Sequence, residues 1–85
     1  MTKKERVKIG LLKIGEIAEE AGVNKTTVRY YTDMGLINYV DTTPGGYRLY
    51  DRDETVDKIH AIREMMSKNI TLWQLQDDGL LKVFA

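Results

Sequence analysis

The 85-residue chain has no cysteine, and proline, tryptophan and histidine occur once each. Without thiols the protein can form no disulfide bond, no thiolate metal site and no cysteine nucleophile. No apolar run approaches the roughly 18 residues that a membrane-spanning helix needs. The basic start at residues 1–6 is not followed by the apolar core of a signal peptide. These absences predict a cytoplasmic protein.

The sequence also lacks the patterns of an enzyme or cofactor site. It shows no paired nucleophile and base, no glycine-rich phosphate loop and no acid pair suited to catalysis. Because a metal site needs several converging ligands, we interpret His60 as a partly buried structural residue. We therefore expect a non-enzymatic protein with no cofactor, no metal ion and no small-molecule effector site within this chain.

The charge of the chain sums to zero, with 13 basic and 13 acidic residues. Neutrality argues against nucleic-acid binding, since DNA-binding domains usually carry a basic surface. The distribution is uneven, however. Residues 1–15 hold five basic residues and one acidic residue, whereas acids collect at residues 16–20, 51–57 and 77–78. Such segregation can leave one positive face on a neutral molecule.

The first half of the chain has the pattern of a helix-turn-helix. Apolar residues recur at helical spacing before and within residues 16–21, and Gly22 suits a left-handed turn. Asn24 then has the chemistry of a helix cap, its side chain accepting the backbone N–H of Thr26 or Thr27. The second helix buries Val28 and Tyr31 and ends at Gly35. In proteins with this layout, the second helix lies in the DNA major groove.

A hairpin is predicted after the two helices. Residues 36–40 and 46–50 favour strands, and residues 41–45 between them have turn chemistry. Asp51 and Glu54 resemble a capping box that opens a third helix, which extends to about residue 68. Its predicted buried stripe consists of Val56, Ile59, Ile62, Met65 and Met66.

A second capping box at Thr71 predicts a short fourth helix that ends before Gly79. The predicted fold is mainly α, a winged helix-turn-helix with four helices and a small β-hairpin wing. We divide the chain into a basic, partly ordered N-terminal arm (1–12), the winged helix-turn-helix domain (13–78) and a short apolar C-terminal tail (79–85). The tail either packs on the core or contributes to self-association.

Four segments in order carry a resemblance to a known family: residues 14–18 (IGEIA), 27–31 (TVRYY), 34–37 (MGLI) and 46–50 (GYRLY). Together they make residues 13–78 similar to the N-terminal DNA-binding domain of MerR-type transcriptional regulators. The resemblance implies double-stranded DNA as the partner and self-association on it. It also implies that the chain is either an excised domain or a small stand-alone member, since family members normally continue into a dimerisation helix.

The resemblance assigns candidate DNA contacts to seven residues. Those expected in the major groove are Lys25, Thr26 and Thr27; those on the phosphate backbone are Arg29 and Tyr30; those in the wing are Tyr47 and Arg48. The leading hypothesis is a sequence-specific bacterial transcriptional regulator, cytoplasmic and associated with the nucleoid. Two alternatives stay open: an architectural or excisionase-like protein that assembles on direct repeats, and a protein–protein adaptor that reuses the fold.

Overall fold

The structure is a computed structural model and describes residues 1–67. Along the chain these residues form α1 (Lys3–Lys8), β1 (Leu11–Lys13), α2 (Ile14–Ala21), α3 (Lys25–Asp33), β2 (Asp41–Thr42), β3 (Arg48–Asp51) and α4 (Arg52–Ser67). The strands make one antiparallel sheet in the order β1-β3-β2. The predicted helix after Thr71 and the apolar tail lie outside the described residues.

The core lies between α2, α3, α4 and the sheet. It is made of aliphatic and tyrosine side chains with little exposed area: Leu12, Ile17, Ala18, Ala21, Val28, Tyr31, Leu36, Ile37, Tyr50, Ile59 and Ile62. Val28 is 0% exposed and Tyr31 is 3% exposed, so both point inward as predicted. Since side chains three apart share one face of a helix, the remaining face of α3 is left to solvent.

The helix-turn-helix forms as the sequence indicates, with one local difference. Gly22 adopts the left-handed conformation (φ 72°, ψ 33°), and the following Val23 N–H donates to Ala18 O at 2.9 Å. Asn24 occupies the cap position of α3, but its side chain makes no capping hydrogen bond. The prediction of a side-chain cap was therefore wrong. The backbone carbonyl of Asn24 instead accepts the N–H of Thr27 at 3.0 Å.

The N-terminal segment is more regular than the partly ordered arm expected for residues 1–12. Thr2 and Glu5 form a reciprocal capping box with two hydrogen bonds of 3.2 Å, and these bonds start α1. Strand β1 then pairs with β3, placing Leu12 opposite Tyr50. The Thr-x-x-Glu spacing that signals such a cap is visible in the sequence, but six helical residues are too few to show an apolar period.

The wing is shorter than predicted on its first side. Leu36 and Ile37 are 1% and 0% exposed, and the N–H groups of both donate to Tyr31 O, at 2.9 and 3.4 Å. These hydrogen bonds turn the chain back against the end of α3, and no strand forms in this segment. The predicted strand at 36–40 was therefore wrong. On this side of the wing β2 pairs with β3, and just before it the Val40 N–H donates to Leu49 O at 2.8 Å.

Helix α4 begins as predicted, with the Asp51 carboxylate accepting the Glu54 N–H at 3.0 Å. Its buried apolar residues are Ile59 and Ile62, with Val56 and Met65 packed beside the core. Two predictions on this helix were wrong. Met66 is 43% exposed, and His60 is exposed with its Nε2 3.3 Å from Ala21 O. His60 thus meets the end of α2, whereas the Met66 Sδ lies 3.8 Å from the Tyr31 hydroxyl group on α3.

A partly buried ion pair joins α1 to the start of α2. Arg6 Nη1 lies 2.8 Å from Glu16 Oε1, and the two side chains are 6% and 22% exposed. The same guanidinium donates to Leu11 O at 3.0 Å, and Glu16 Oε1 accepts the Lys13 N–H at 2.7 Å. The hydrogen bond from Arg6 lowers the pKa of Glu16 from 4.5 to about 2, against the opposing effect of burial.

We predict that Arg6→Met lowers the free energy of unfolding by about 2 kcal/mol at neutral pH, the scale of a hydrogen bond to a charged group. A carboxylate with a depressed folded-state pKa stabilises the protein above its unfolded pKa and loses that effect as pH falls. Wild-type stability should therefore drop between pH 4.5 and about 2, and the variant's profile should be flatter. Urea unfolding at several pH values measures both.

Arg52→Met is the matched control, since the Arg52–Asp53 pair has side chains that are 40% and 84% exposed. Exposed pairs contribute about 1 kcal/mol or less. Equal losses in the two variants, or an unchanged pH profile for Arg6→Met, would contradict the assignment of the Arg6–Glu16 pair.

Candidate nucleic-acid interface

The outward face of α3 carries polar side chains along its length. Lys25, Thr26 and Arg29 are exposed, and Tyr30 is 52% exposed. Thr27 is half-buried, so less of its side chain is available to a ligand. This face follows from the burial of the opposite side of α3 in the core. It presents cationic and hydroxyl groups, the chemistry that contacts phosphates and base edges.

The wing displays the other two predicted contacts, Tyr47 and Arg48, both exposed. Thr43 fixes the turn that precedes them: its N–H donates to Tyr47 O at 2.8 Å, and its Oγ1 accepts the Tyr47 N–H at 3.1 Å. The Arg48 guanidinium lies 5.0 Å from the centroid of the Tyr39 ring. The wing thus has a turn that is fixed by two hydrogen bonds, and the Arg48 guanidinium lies beside the Tyr39 ring.

A cleft of about 340 Å³ joins α3 to the wing. Its walls bring together three of the seven predicted residues, Arg29 from α3 and Tyr47 and Arg48 from the wing. Asp33 shares the cleft and reduces its positive charge. The other four predicted residues lie outside its lining, on α3. The structure therefore assembles one continuous surface from segments nearly twenty positions apart in sequence.

The start of α2 borders the same surface. A Cβ atom added to Gly15 would lie only 2.9 Å from Lys25 Cε, so the Lys25 side chain passes directly over this glycine. Two residues before this glycine, Lys13 has its Nζ 4.3 Å from the centroid of the Tyr47 ring. Sequence reasoning did not include Lys13 among the candidates. Its position directly before the segment 14–18 was the available signal.

The charges separate as the sequence pattern allows. Lys13, Lys25, Arg29 and Arg48 border the surface formed by α3 and the wing. The N-terminal cations Lys3 and Arg6 instead pair with Glu16, at 3.6 and 2.8 Å. Beside this pair, α1 and α2 form a groove lined by Glu16, Glu19 and Glu20 together with Lys3, Val7 and Leu12. A neutral chain therefore carries a cation-rich face and a separate acidic groove.

Within residues 1–67, no three histidine or acidic side chains are grouped closely enough to hold a metal ion. The helices of this part of the chain are all too short or too polar to cross a membrane.

Comparison with known proteins identifies the fold. The family described as MerR HTH family regulatory protein matches residues 12–77, well over half of the chain. The chain belongs to this family. The mercuric resistance operon regulatory protein of Bacillus cereus is 45% identical over 71 residues, covering 84% of this chain and 52% of that protein.

Other MerR relatives give the same result. The HTH-type transcriptional regulator YfmP of Bacillus subtilis is 36% identical over 67 residues, 76% of this chain and 46% of that protein. The crystal structure of a MerR family transcriptional regulator from Bacillus cereus aligns with a TM-score of 0.68 at 27% identity, covering 82% of this chain and 52% of that one. This MerR chain thus spans about half the length of these relatives.

These matches confirm the family recognised from the four sequence segments and the mainly helical winged fold. MerR proteins are transcriptional regulators rather than enzymes, as the absence of catalytic patterns had predicted. The roles of the seven candidate side chains remain predictions, since the comparisons concern whole domains and not single contacts.

Proposed function

We propose that this chain binds double-stranded DNA at specific sequences as a transcriptional regulator, with α3 in the major groove and the wing on the flanking backbone. One observation carries the proposal. The outward face of α3 continues across the cleft into the wing, so that Arg29 and Arg48 border one surface in a chain of the MerR family. Helix-turn-helix proteins dock such a helix in the groove and use neighbouring segments for the backbone.

Base recognition in this proposal comes from the first turn of α3. Lys25 and Thr26 are exposed there, and Thr27 is half-buried. Threonine hydroxyls form hydrogen bonds with base edges and threonine methyls contact thymine, each worth on the order of 1 kcal/mol. Thr27 contributes less than Thr26 because part of its side chain is occupied within the fold. Readout by one domain is therefore modest.

Backbone contacts come from the second turn of α3 and from the wing. Arg29 and Arg48 supply charge on both sides of the cleft, while Tyr30 and Tyr47 offer exposed phenol groups. Each phosphate neutralised by a cation releases counterions and makes the salt dependence steeper, by about 0.9 in the slope of log K against log salt. Binding should therefore weaken strongly between low and moderate salt.

Two copies acting on one DNA would supply the specificity that one domain lacks. One α3 and one wing cover a single half-site, and half-sites one helical turn apart are the usual solution. We propose self-association on DNA, a cytoplasmic location at the nucleoid, and no small-molecule effector site within this chain. The groove between α1 and α2 and the cleft between α3 and the wing are open to solvent and bordered by charged residues. Such surfaces suit contacts with a macromolecule better than the enclosure of an apolar effector.

Selection from a randomised duplex pool with the 85-residue chain, at low and moderate salt, tests the proposal. Enrichment of an inverted repeat indicates a two-fold arrangement, and enrichment of a direct repeat indicates head-to-tail assembly. Binding without enrichment would contradict sequence specificity. Failure to bind any duplex at low salt would contradict the proposal as a whole.

We predict that Arg29→Ala and Arg48→Ala each weaken binding to a selected duplex about tenfold, the effect of losing a charge-assisted hydrogen bond of roughly 1.5 kcal/mol. Each variant should also flatten the salt slope by about 0.9. Both residues are exposed, so thermal unfolding should change little. Fluorescence anisotropy at four or more salt concentrations measures affinity and slope together.

Arg63→Ala is the control, because Arg63 is an exposed arginine on α4 that lines a different surface with Met66 and Ser67. If removing Arg63 weakens binding as much as removing Arg29 or Arg48, the loss reflects total charge and the site assignment is wrong.

We predict that Gly15→Ala weakens DNA binding about threefold to tenfold without destabilising the domain. The added methyl would meet the flexible end of Lys25 at 2.9 Å, so the lysine moves while the backbone stays. Alanine also favours the helix by up to about 1 kcal/mol. Affinity and melting temperature are measured on the same samples.

The Lys25→Ala background separates this mechanism from a general distortion. Gly15→Ala should have little further effect on binding there, since the displaced side chain is already gone. A full additional loss in the double variant would show that the methyl acts through something other than Lys25.

A further inference from the structure

The geometry points to Lys13 as a positioning residue for the wing. Its ammonium group holds the Tyr47 ring at the edge of the cleft, in the orientation in which the wing engages DNA. This inference rests on the proposed function, and it adds to the interface a residue that does not belong to the seven predicted contacts.

The Lys13 ammonium group contacts the face of the Tyr47 ring. Lys13 Nζ lies 4.3 Å from the centroid of the Tyr47 ring, within the range of about 6 Å in which a cation is attracted to an aromatic face. The Tyr47 side chain is 60% exposed and lies outside the core. Core packing therefore does not fix the orientation of its ring, and contacts at the surface must do so.

The backbone of Lys13 is held rigidly by its neighbours in the fold. Lys13 lies in β1 opposite Leu49, and its N–H donates to Glu16 Oε1 at 2.7 Å. Glu16 is in turn held by Arg6 at 2.8 Å. The ammonium group therefore projects from a backbone that is fixed by the sheet, by the start of α2 and, through Glu16, by α1.

The Tyr47 side chain keeps rotational freedom in the wing. Thr43 ties both the N–H and the carbonyl of Tyr47, which sets the backbone of the turn but leaves the side-chain torsions open. A Cβ on Gly45 would lie 3.4 Å from the ring, so one edge of the ring rests on the turn. Lys13 supplies the link between this ring and the body of the domain.

The consequence lies in the cleft, where the Tyr47 ring borders the same space as Arg29 and Arg48. If the ring rotated away, the cleft would lose one of its walls beside the two arginines. Lys13 thus favours the arrangement that binds, and it lowers the ordering cost that an unrestrained exposed side chain adds to association.

A double-mutant cycle on the 85-residue chain tests this inference, with affinity for a selected duplex as the readout. We expect Lys13→Met to weaken binding about fivefold and to leave thermal unfolding unchanged. In a Tyr47→Leu background the same change should cost less than about twofold, because its target is gone. Lys13→Arg should restore affinity, since a guanidinium also stacks on a tyrosine ring.

Lys8→Met is the matched control, an exposed lysine on α1, and it should leave affinity unchanged. Full additivity of Lys13→Met and Tyr47→Leu would show that Lys13 acts on DNA alone and would overturn the inference. An unchanged affinity in Lys13→Met would overturn it as well. Either result with normal wild-type binding leaves the proposed function intact, whereas a wild-type chain that binds no duplex refutes both.

A measurement without DNA supports the same distinction. In the free protein, the side-chain ε protons of Lys13 should show an upfield ring-current shift by NMR, and this shift should disappear in Tyr47→Leu. Absence of the shift in the wild type would refute the contact on which the inference depends, whatever the DNA affinity.

Discussion

The inward packing of Val28 and Tyr31 is the constraint on which the rest of the domain depends. These two side chains bury one face of α3, at 0% and 3% exposure, and so decide which residues of the helix meet solvent. Tyr31 also directs the chain after the end of α3, because its carbonyl accepts the N–H groups of Leu36 and Ile37. The same residue thereby orients the outward face of α3 and starts the path of the chain toward the wing.

Strand β3 transmits this arrangement to the wing. It pairs with β1 on one side and β2 on the other, and its Leu49 and Tyr50 are 4% and 0% exposed. Tyr50 also shares a hydrogen bond of 2.9 Å with Thr32 on α3. The exposed Arg48 thus lies one residue from the buried Leu49, and this anchoring of β3 fixes the position of the wing relative to α3.

The neutral charge of the protein is compatible with an anionic partner because the cations are not equivalent. Arg6 is paired with Glu16, where it stabilises the fold and its charge is offset by that of the carboxylate. Lys25, Arg29 and Arg48 have no such structural duty within the fold and stay exposed. Total charge is therefore a weak guide to partners in a small domain, and the placement of charge is the informative quantity.

Prediction from sequence succeeded for most features that local residue patterns decide, with the side-chain cap at Asn24 and the helix α1 as exceptions. Helical spacing gave α2, α3 and the body of α4, and Gly22 marked the left-handed turn between the first two. It failed where tertiary contacts overruled local preference. Leu36 and Ile37 favour a strand by residue type, yet both are drawn into the core, and His60 lies beside the stripe rather than in it.

The family, the helix-turn-helix and the chemical character of the exposed face can be read from the amino-acid sequence, because these depend on residues that are neighbours along the chain. Three contacts arise only in the folded chain: β1 pairs with β3, Arg29 and Arg48 border one cleft, and Lys13 meets Tyr47. Each of these joins segments from different parts of the chain. Their proximity follows from how α2, α3 and the sheet pack around one small core, which no local pattern specifies.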